Sequence, residues 1–209
     1  MNLNRICMQE LSMMPGMKLF EYLVVLNPHE ALREKIIHIK QHFYDSYKAT
    51  SALYGRPHIA LVKFTQREMA EERIVHRLKT IAMGYHPVKI ELRDFGSFPA
   101  HTIFINVLSK VPIQELIKHI RTEAQQLMKP DNEHKPHFML EPQMLVAGKL
   151  KPWQFEKGWL EYSHKHFTGR FIADAMLLLK RPVGEFKYQI AGRFEFENLP
   201  VATTQGALF

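Results

Sequence analysis

The first residue whose type and position could do chemistry is His58, which stands at the entrance of the apolar run from Ile59 to Phe64. The length and composition of this run are typical of a buried strand. A histidine at a strand entrance could accept or donate a proton near neutral pH. One imidazole does not make an acid–base pair, so the stretch predicts catalysis only if a partner lies elsewhere in the chain.

A weak internal repeat predicts where that partner lies. Residues 20–26 correspond to residues 102–108 at an offset of 82, and the order strand, helix, strand, helix, strand occurs twice. Self-similarity at a fixed offset is typical of two related lobes, and a cleft between such lobes is a natural ligand site. The position equivalent to His58 then falls near residues 140–143.

Two registers are compatible with this repeat. One aligns His58 with Gln143 at an offset of 85, and the other aligns it with His137 at an offset of 79. Nine residues separate Gln143 from Trp153 in the next predicted helix, whereas fifteen separate His137 from it, against seven between His58 and Gln66. The spacing therefore favours Gln143, and His137 stays as the alternative.

The elements that carry these residues predict an α+β fold. We expect two pseudo-symmetric lobes, each a small, mainly antiparallel sheet with two helices on its outer face, and a central cleft between them. The pattern places an N-terminal extension at 1–17, one bilobal domain at 18–197 and a tail at 198–209, with lobes of roughly 18–100 and 101–197 whose terminal strands could exchange. A helix beginning at Thr65 and a single strand at 171–180 are part of this prediction.

Composition limits the classes of function. The 209 residues are 46% hydrophobic, and Lys and Arg exceed Asp and Glu by seven, which favours anionic partners. Cys7 is the single cysteine, so an intrachain disulfide and a multi-cysteine metal site are excluded. No apolar run has the length of a membrane span and no secretory pattern is evident, so we expect a cytoplasmic protein without a membrane partner. The sequence specifies no oligomeric state.

The layout resembles the 2H phosphoesterase superfamily, which includes 2′-5′ RNA ligase-like proteins and RNA cyclic phosphodiesterases. The resemblance covers roughly residues 18–197 and rests on 57–64, 95–107 and 141–150. It implies two His-x-Thr/Ser motifs facing each other across the cleft. One imidazole would activate a nucleophile, the other would protonate a leaving oxygen, and the hydroxyls would hold the phosphate, with no metal or cofactor.

The sequence departs from that pattern in both motifs. His58 is kept, but Ala60 stands where the first hydroxyl belongs, and Gln143 and Leu145 replace the second histidine and hydroxyl. Glutamine cannot shuttle a proton in this pH range. We therefore expect catalysis to be lost or strongly reduced, leaving a protein that binds RNA ends or nucleotides.

Two other functions stay open at this point. The register that retains His137 predicts an active, metal-independent RNA 2′,3′-cyclic phosphodiesterase, although Met139 then replaces the hydroxyl. The third possibility is a non-catalytic protein-interaction domain. The residues expected to contact an RNA or nucleotide phosphate ligand are Ala60, Lys63, Phe64, Leu145, Lys149 and Trp153.

Overall fold

The computed structural model of the protein describes residues 17–199. The predicted N-terminal extension, apart from Met17, and the predicted tail from residue 200 onward lie outside the described residues. The strands are β1 (Leu19–Leu26), β2 (Ile59–Arg67), β3 (Val88–Phe98), β4 (Thr102–Val107), β5 (His137–Phe138), β6 (Gln143–Ala147), β7 (Thr168–Ala173), β8 (Ala175–Pro182) and β9 (Gln189–Glu195). The α-helices are α1 (Glu30–Tyr47), α2 (Glu71–Met83), α3 (Lys110–Ala124) and α4 (Pro152–Tyr162).

The strands form one sheet in the order β7-β3-β4-β6-β2-β1-β8-β9, with β5 paired to β2. The pairings within the described residues are antiparallel. The predicted α+β class, with a mainly antiparallel sheet and four helices, is confirmed. The sheet is open rather than closed into a barrel, and its two halves meet where β2 lies beside β6.

The helices cover one face of the sheet, two to each half. α1 contacts β6 and β7, and α4 contacts β4, whereas α2 contacts β8 and β9 and α3 contacts β2. Alternate strand residues point to this face and form the core, because strand side chains alternate between the two faces. We call the opposite face, which carries no helices, the open face. No helix within residues 17–199 combines the length and the apolar character needed to cross a membrane.

Close contact with α1 fixes the position of α4, the helix that follows β6. A Cβ atom at Gly158 would come within 2.7 Å of the Phe43 ring, so the two helices can approach this closely only with glycine there. Phe43 also packs edge-on against Tyr162, with ring centroids 5.2 Å apart. This packing anchors the end of the chain segment that contains β6.

The chain passes between the two halves of the sheet more than once. β3 and β4 lie on either side of residue 100, which was the predicted boundary between the lobes. They are nevertheless neighbours in the same half of the sheet. The predicted single strand at 171–180 is corrected, because Asp174 separates β7 from β8 and these two strands lie in different halves. The second correction concerns Thr65, predicted to begin a helix. It lies inside β2 opposite Glu21, and α2 begins only at Glu71.

Candidate functional site

A cavity of about 290 Å³ lies on the open face where the two halves of the sheet meet. Its walls come from strands β1, β2 and β6, from the segment between β5 and β6, and from the segment before β9. The lining residues are Leu23, His58, Ala60, Lys63, Met139, Glu141, Gln143, Leu145 and Tyr188. We call it the His58 cavity.

The relation between β2 and β6 determines which side chains meet in this cavity. Ile59 pairs with Met144, and both side chains are fully buried on the helix-covered face. Their strand neighbours therefore point to the open face. Continuing the antiparallel register places Ala60 opposite Gln143 and, on the other side of the pair, His58 opposite Leu145. The two degenerate motifs thus run antiparallel to each other around the Ile59–Met144 pair.

A β-bulge in β2 brings Lys63 into the same cavity. Val25 pairs with Ala60 and Val24 pairs with Val62, which leaves Leu61 without a partner in β1. Leu61 and Val62 are both buried in the main core, so the alternation of the strand shifts by one position at this point. Bulges re-aim side chains in this way. Lys63, five residues after His58, therefore points to the open face.

The His58 ring is held in one tautomer by the backbone before β2. Its Nδ1 atom lies 2.7 Å from the carbonyl oxygen of Arg56. A carbonyl only accepts, so Nδ1–H is the donor, and Nε2 carries the lone pair of the neutral ring. Burial lowers the pKa of His58, the Arg56 carbonyl acts in the opposite direction, and the nearby Lys40 ammonium lowers it further. The geometry suits a neutral imidazole whose Nε2 accepts a proton or a hydrogen bond.

Positive charge at one end of the cavity is organised around Glu21. The Lys63 ammonium lies 2.7 Å from the Glu21 carboxylate, Arg181 Nε donates to the same carboxylate at 2.7 Å, and the Tyr188 hydroxyl donates to it as well. Burial would raise the pKa of Glu21, but the bonds from Lys63, Tyr188 and Arg181 together lower it below its ordinary value. Two cations around one carboxylate leave a net positive charge.

The remaining walls are apolar except at Glu141, whose carboxylate pairs with Lys110 at 2.8 Å. Leu23 belongs to a small cluster of buried residues on the open face, and Ala60, Met139 and Tyr188 pack against this cluster. Leu145 is 40% exposed and contributes its side chain to the cavity wall. Neither Ala60 nor Leu145 has a hydroxyl that could bind a phosphate oxygen. Within residues 17–199, no three His, Cys, Asp or Glu side chains are grouped to hold a metal ion.

The structure brings five of the predicted site residues together and leaves four outside. His58, Ala60, Lys63, Gln143 and Leu145 line the cavity. The residues outside it are His137, Phe64, Lys149 and Trp153.

His137 lies on β5, exposed, and pairs with Lys63. Because the bulge takes up one residue, Lys63 lies about four strand positions from His58, about 13 Å at strand spacing. That separation is too large for two imidazoles that share one phosphate.

The prediction that Phe64 contacts a ligand is corrected by its location. Phe64 is 3% exposed, lies in the main core and stacks on Tyr22 with ring centroids 5.1 Å apart. Lys149 and Trp153 are exposed beyond β6, outside the cavity lining.

Sequence reasoning missed Glu21, Lys40 and Tyr188. Glu21 stands in the apolar run of β1, and its charge between Phe20 and Tyr22 is the one local signal that this position avoids the core. Tyr188 reaches the site through strand pairing across the sheet, and no local pattern predicts that. Lys40 lies on α1, is 6% exposed, and donates to the carbonyls of Tyr54 and Gly55 at 3.1 and 2.8 Å.

Comparison with known proteins gives one family and several similar folds. The family model of the 2′-5′ RNA ligase superfamily matches residues 27–185. The crystal structure of TT0787 of Thermus thermophilus is similar with a TM-score of 0.59 and 13% identity, over 85% of this chain and 98% of that one. A crystal structure of E. coli LigT complexed with 3′-AMP is similar with a TM-score of 0.56 and 12% identity, over 86% and 98%. LigT complexed with NADP⁺ gives 0.54 and 12%, over 86% and 99%. No curated protein sequence matches the chain.

Proposed function

Because the chain belongs to the 2′-5′ RNA ligase superfamily, we propose that it binds a nucleotide or an RNA end in the His58 cavity without two-histidine catalysis. The observation that carries this proposal is the pairing of Ile59 with Met144. It supports Gln143 as the residue at the second imidazole position. It also supports Ala60 and Leu145 as the residues at the two hydroxyl positions.

The chemistry that this site lacks is the proton transfer that needs two imidazoles of opposite protonation state. His58 Nε2 can accept a proton, but the Gln143 amide cannot return one to a leaving oxygen. Loss of one acid–base partner costs about 10²–10⁴-fold in rate, and loss of hydroxyl donors to the phosphate adds to that loss. We expect cyclic phosphodiester hydrolysis to be absent or reduced by at least this factor.

The chemistry that the site retains suits a nucleotide. His58 and Gln143 offer an acceptor and an amide for hydrogen bonds, and the Lys63–Glu21–Arg181 group supplies net positive charge at one end. Leu23, Met139 and Leu145 offer apolar surface for a base or ribose. Crystal structures of the similar LigT contain 3′-AMP, NADP⁺, ATP and phosphate.

Two measurements on the purified protein test the proposal. The first is hydrolysis of a 2′,3′-cyclic nucleotide by wild type and by His58→Ala, for which we expect at most a residual rate in either protein. Turnover at an ordinary enzyme rate that disappears in His58→Ala would restore the enzyme interpretation. The second is calorimetric titration with 3′-AMP, for which we expect binding that His58→Ala and Gln143→Ala weaken.

His137→Ala is the matched control for both measurements. It removes the same ring from an exposed position on β5 outside the cavity. We expect it to leave 3′-AMP binding unchanged. A loss of hydrolysis in His137→Ala would support the active phosphodiesterase that uses His58 and His137. Absence of any nucleotide binding by wild type would favour a protein-interaction domain instead.

We also infer that the protein works in a reducing compartment such as the cytoplasm. Cys7 is the single cysteine of the sequence, so the fold uses no intrachain disulfide. Fractionation of cells that express a tagged full-length chain tests this inference, and recovery from an extracellular or periplasmic fraction would contradict it.

A further inference from the structure

Lys40 is a buried cation in the apolar stripe of α1. Ile36 and Phe43, four positions before it and three positions after it, are both fully buried. Residues at this spacing share one face of a helix, so the lysine enters the protein interior beside them. Among residues 17–199, the ion pairs include no carboxylate within 4 Å of its ammonium. A buried charge without a counter-ion is costly unless hydrogen bonds compensate for the lost water.

The hydrogen bonds of this ammonium go to the loop that precedes β2. Lys40 donates to the carbonyl of Tyr54 at 3.1 Å and to the carbonyl of Gly55 at 2.8 Å. Burial lowers the pKa of Lys40 to about 8, so the group is still largely protonated at about pH 7. Both bonds are therefore charge-assisted, which makes them stronger than bonds between neutral groups.

The side chains of this loop contribute little to its conformation. Residues 53–56 are all exposed, and the chain turns into the interior only at Pro57, which is buried. Gly55 has a φ of 73°, in the left-handed region that glycine adopts without strain, so the backbone reverses at this point. The path of the loop thus depends on bonds to its backbone, and Lys40 supplies two of them.

The same loop carries the group that orients His58. The carbonyl of Arg56 follows directly after the two that Lys40 holds, and it accepts the Nδ1–H of the ring at 2.7 Å. Successive peptide planes are rigid and share a Cα atom, so a displacement of the first two carbonyls moves the third. The hydrogen bond at one ring nitrogen determines whether the other carries the lone pair. The bonds from Lys40 therefore reach His58 Nε2 through three consecutive carbonyls.

The helix that carries Lys40 also supports the second strand of the site. α1 contacts β6 on the helix-covered face, whereas Gln143 and Leu145 of β6 line the cavity on the open face. One helix thus lies beneath β6 and, through Lys40, holds the loop before β2. Both motifs of the candidate site are positioned from the same element.

We propose that Lys40 is a positioning residue, which holds the loop before β2 so that His58 presents Nε2 to a ligand beside Gln143. This inference rests on the proposed function, since the ligand is the nucleotide proposed for the His58 cavity. Lys40 acts on binding by pre-organisation, because the apparent affinity falls with the fraction of molecules that have the competent arrangement. If roughly half to nine-tenths of the molecules leave that arrangement, the affinity falls about two- to ten-fold.

Nitrogen NMR of the labelled histidine rings tests the positioning without any ligand. At about pH 7.5 the His58 ring is neutral, and the tautomer shows which nitrogen carries the proton. We expect the Nδ1–H tautomer in wild type and its partial or complete loss in Lys40→Met. Lys40→Arg keeps a cation with N–H donors and should retain more of the Nδ1–H tautomer than Lys40→Met does. His58→Gln assigns the resonance.

A second variant changes the loop instead of the helix. Gly55→Ala adds a Cβ atom that has no neighbour within 4 Å, so it causes no collision, but it strains the left-handed backbone at this position. It displaces the carbonyls that Lys40 holds, and we expect it to reduce the Nδ1–H tautomer in the same direction as Lys40→Met.

Calorimetry with 3′-AMP gives the functional readout. We expect Lys40→Met to weaken binding about two- to ten-fold. Lys35→Met is the matched control, because Lys35 is exposed on the same helix. It should leave both the tautomer and the affinity unchanged, which shows that the loss of a positive charge from α1 is not sufficient.

The outcomes separate this proposal from the proposed function. An Nε2–H tautomer in wild type overturns the positioning role, and so does an unchanged Nδ1–H tautomer in a folded Lys40→Met. Circular dichroism melts establish whether this variant folds; where it does not, an unchanged tautomer in Gly55→Ala overturns the role. Unchanged 3′-AMP affinity in Lys40→Met also overturns it. Absence of 3′-AMP binding by wild type, by contrast, overturns the proposed function, and the tautomer still decides the positioning role.

Discussion

Ile59 and Met144 face each other as paired residues at the junction of β2 and β6. They are 85 positions apart in the sequence, which is the offset that relates His58 to Gln143. The pair therefore lies at the centre of the two motifs, with His58 and Ala60 on one strand and Gln143 and Leu145 on the other. One backbone pairing thus relates four side chains of the candidate site to each other.

The first prediction follows from that pairing. The triple variant Gln143→His/Ala60→Thr/Leu145→Thr places an imidazole and two hydroxyls where the family motifs carry them. We expect hydrolysis of a 2′,3′-cyclic nucleotide to rise at least about 10²-fold over wild type, because a second acid–base partner is supplied. Adding His58→Ala to the triple variant should abolish the gain. A folded triple variant with no gain would contradict the register.

The second prediction concerns the protonation of His58. Burial and the Lys40 ammonium lower its pKa, so the group titrates below the ordinary value of 6.5. The unfolded chain then binds this proton more readily than the folded chain. The free energy of unfolding should therefore decrease as pH falls below 6.5 and level off below the folded-state pKa. NMR titration of the histidine resonances measures the pKa of His58, and His58→Gln assigns its resonance. A His58 resonance that titrates at or above 6.5 would contradict the prediction.

The third prediction concerns Lys40, the buried lysine of α1 whose ammonium lies near His58. Burial lowers the pKa of Lys40 to about 8 from 10.5. The unfolded chain binds more protons between these values, so the folded state should gain stability as pH rises from about 8 to 10.5. Lys40→Met leaves the carbonyls of Tyr54 and Gly55 without their donor. We expect it to lower the free energy of unfolding by about 1–3 kcal/mol at about pH 10 and by less at about pH 7.

Urea unfolding of wild type and Lys40→Met across this pH range measures the effect. Lys35→Met is the control, because Lys35 is exposed on the same helix. It should lack the change with pH. Parallel pH profiles for wild type and Lys40→Met would show that the lysine is not desolvated in the folded state.

The fourth prediction concerns the carboxylate at the cationic end of the His58 cavity. Glu21→Gln removes the acceptor of Lys63, Arg181 and Tyr188. Hydrogen bonds to a charged, largely buried group contribute substantially, so we expect a loss of about 1–3 kcal/mol in the free energy of unfolding at about pH 7. Because the pKa of Glu21 lies below 4.5 in the folded state, the difference should shrink as pH falls through that lowered pKa.

Thermal or urea unfolding at about pH 7 and about pH 3 measures this difference. Glu30→Gln is the matched control, since Glu30 is 79% exposed at its side chain and pairs only with Arg33 among the described residues. Exposed pairs of this kind contribute about 0.5 kcal/mol or less. Equal losses in the two variants would show that the Glu21 group contributes no more than a surface pair.

Local patterns predicted most of the elements, because their signals are local. The apolar run from Ile59 to Phe64 lies in β2, as its length and composition predict, and the repeat segment 20–26 lies in β1. The prediction of a helix beginning at Thr65 was wrong because Thr65 pairs with Glu21 in a long antiparallel ladder, and tertiary pairing outweighs local helix signals. Asp174 was missed as a strand break because the break reflects which half of the sheet each segment joins.

The site was predictable only in part, because several of its residues meet through strand pairing and not through a local sequence pattern. His58 and Gln143 could be found because the internal repeat carries information about positions far apart in the sequence. Glu21 and Tyr188 meet through β1, β8 and β9, and no repeat or local period connects them. Phe64 was assigned to the ligand because an aromatic ring can support nucleotide binding, whereas its burial depends on the strand register.

The bulge at Leu61 has a consequence for how this surface could change. If β2 kept all its residues but lost the bulge, it would alternate regularly and every side chain beyond Leu61 would exchange faces. Lys63 would then point into the hydrophobic interior, and Phe64 would point to the cavity. A one-residue deletion at Leu61, by contrast, would remove the bulge and leave Lys63 opposite Leu23 on the open face. The bulge therefore lets β2 hold one extra residue while the cation of the His58 cavity keeps its place.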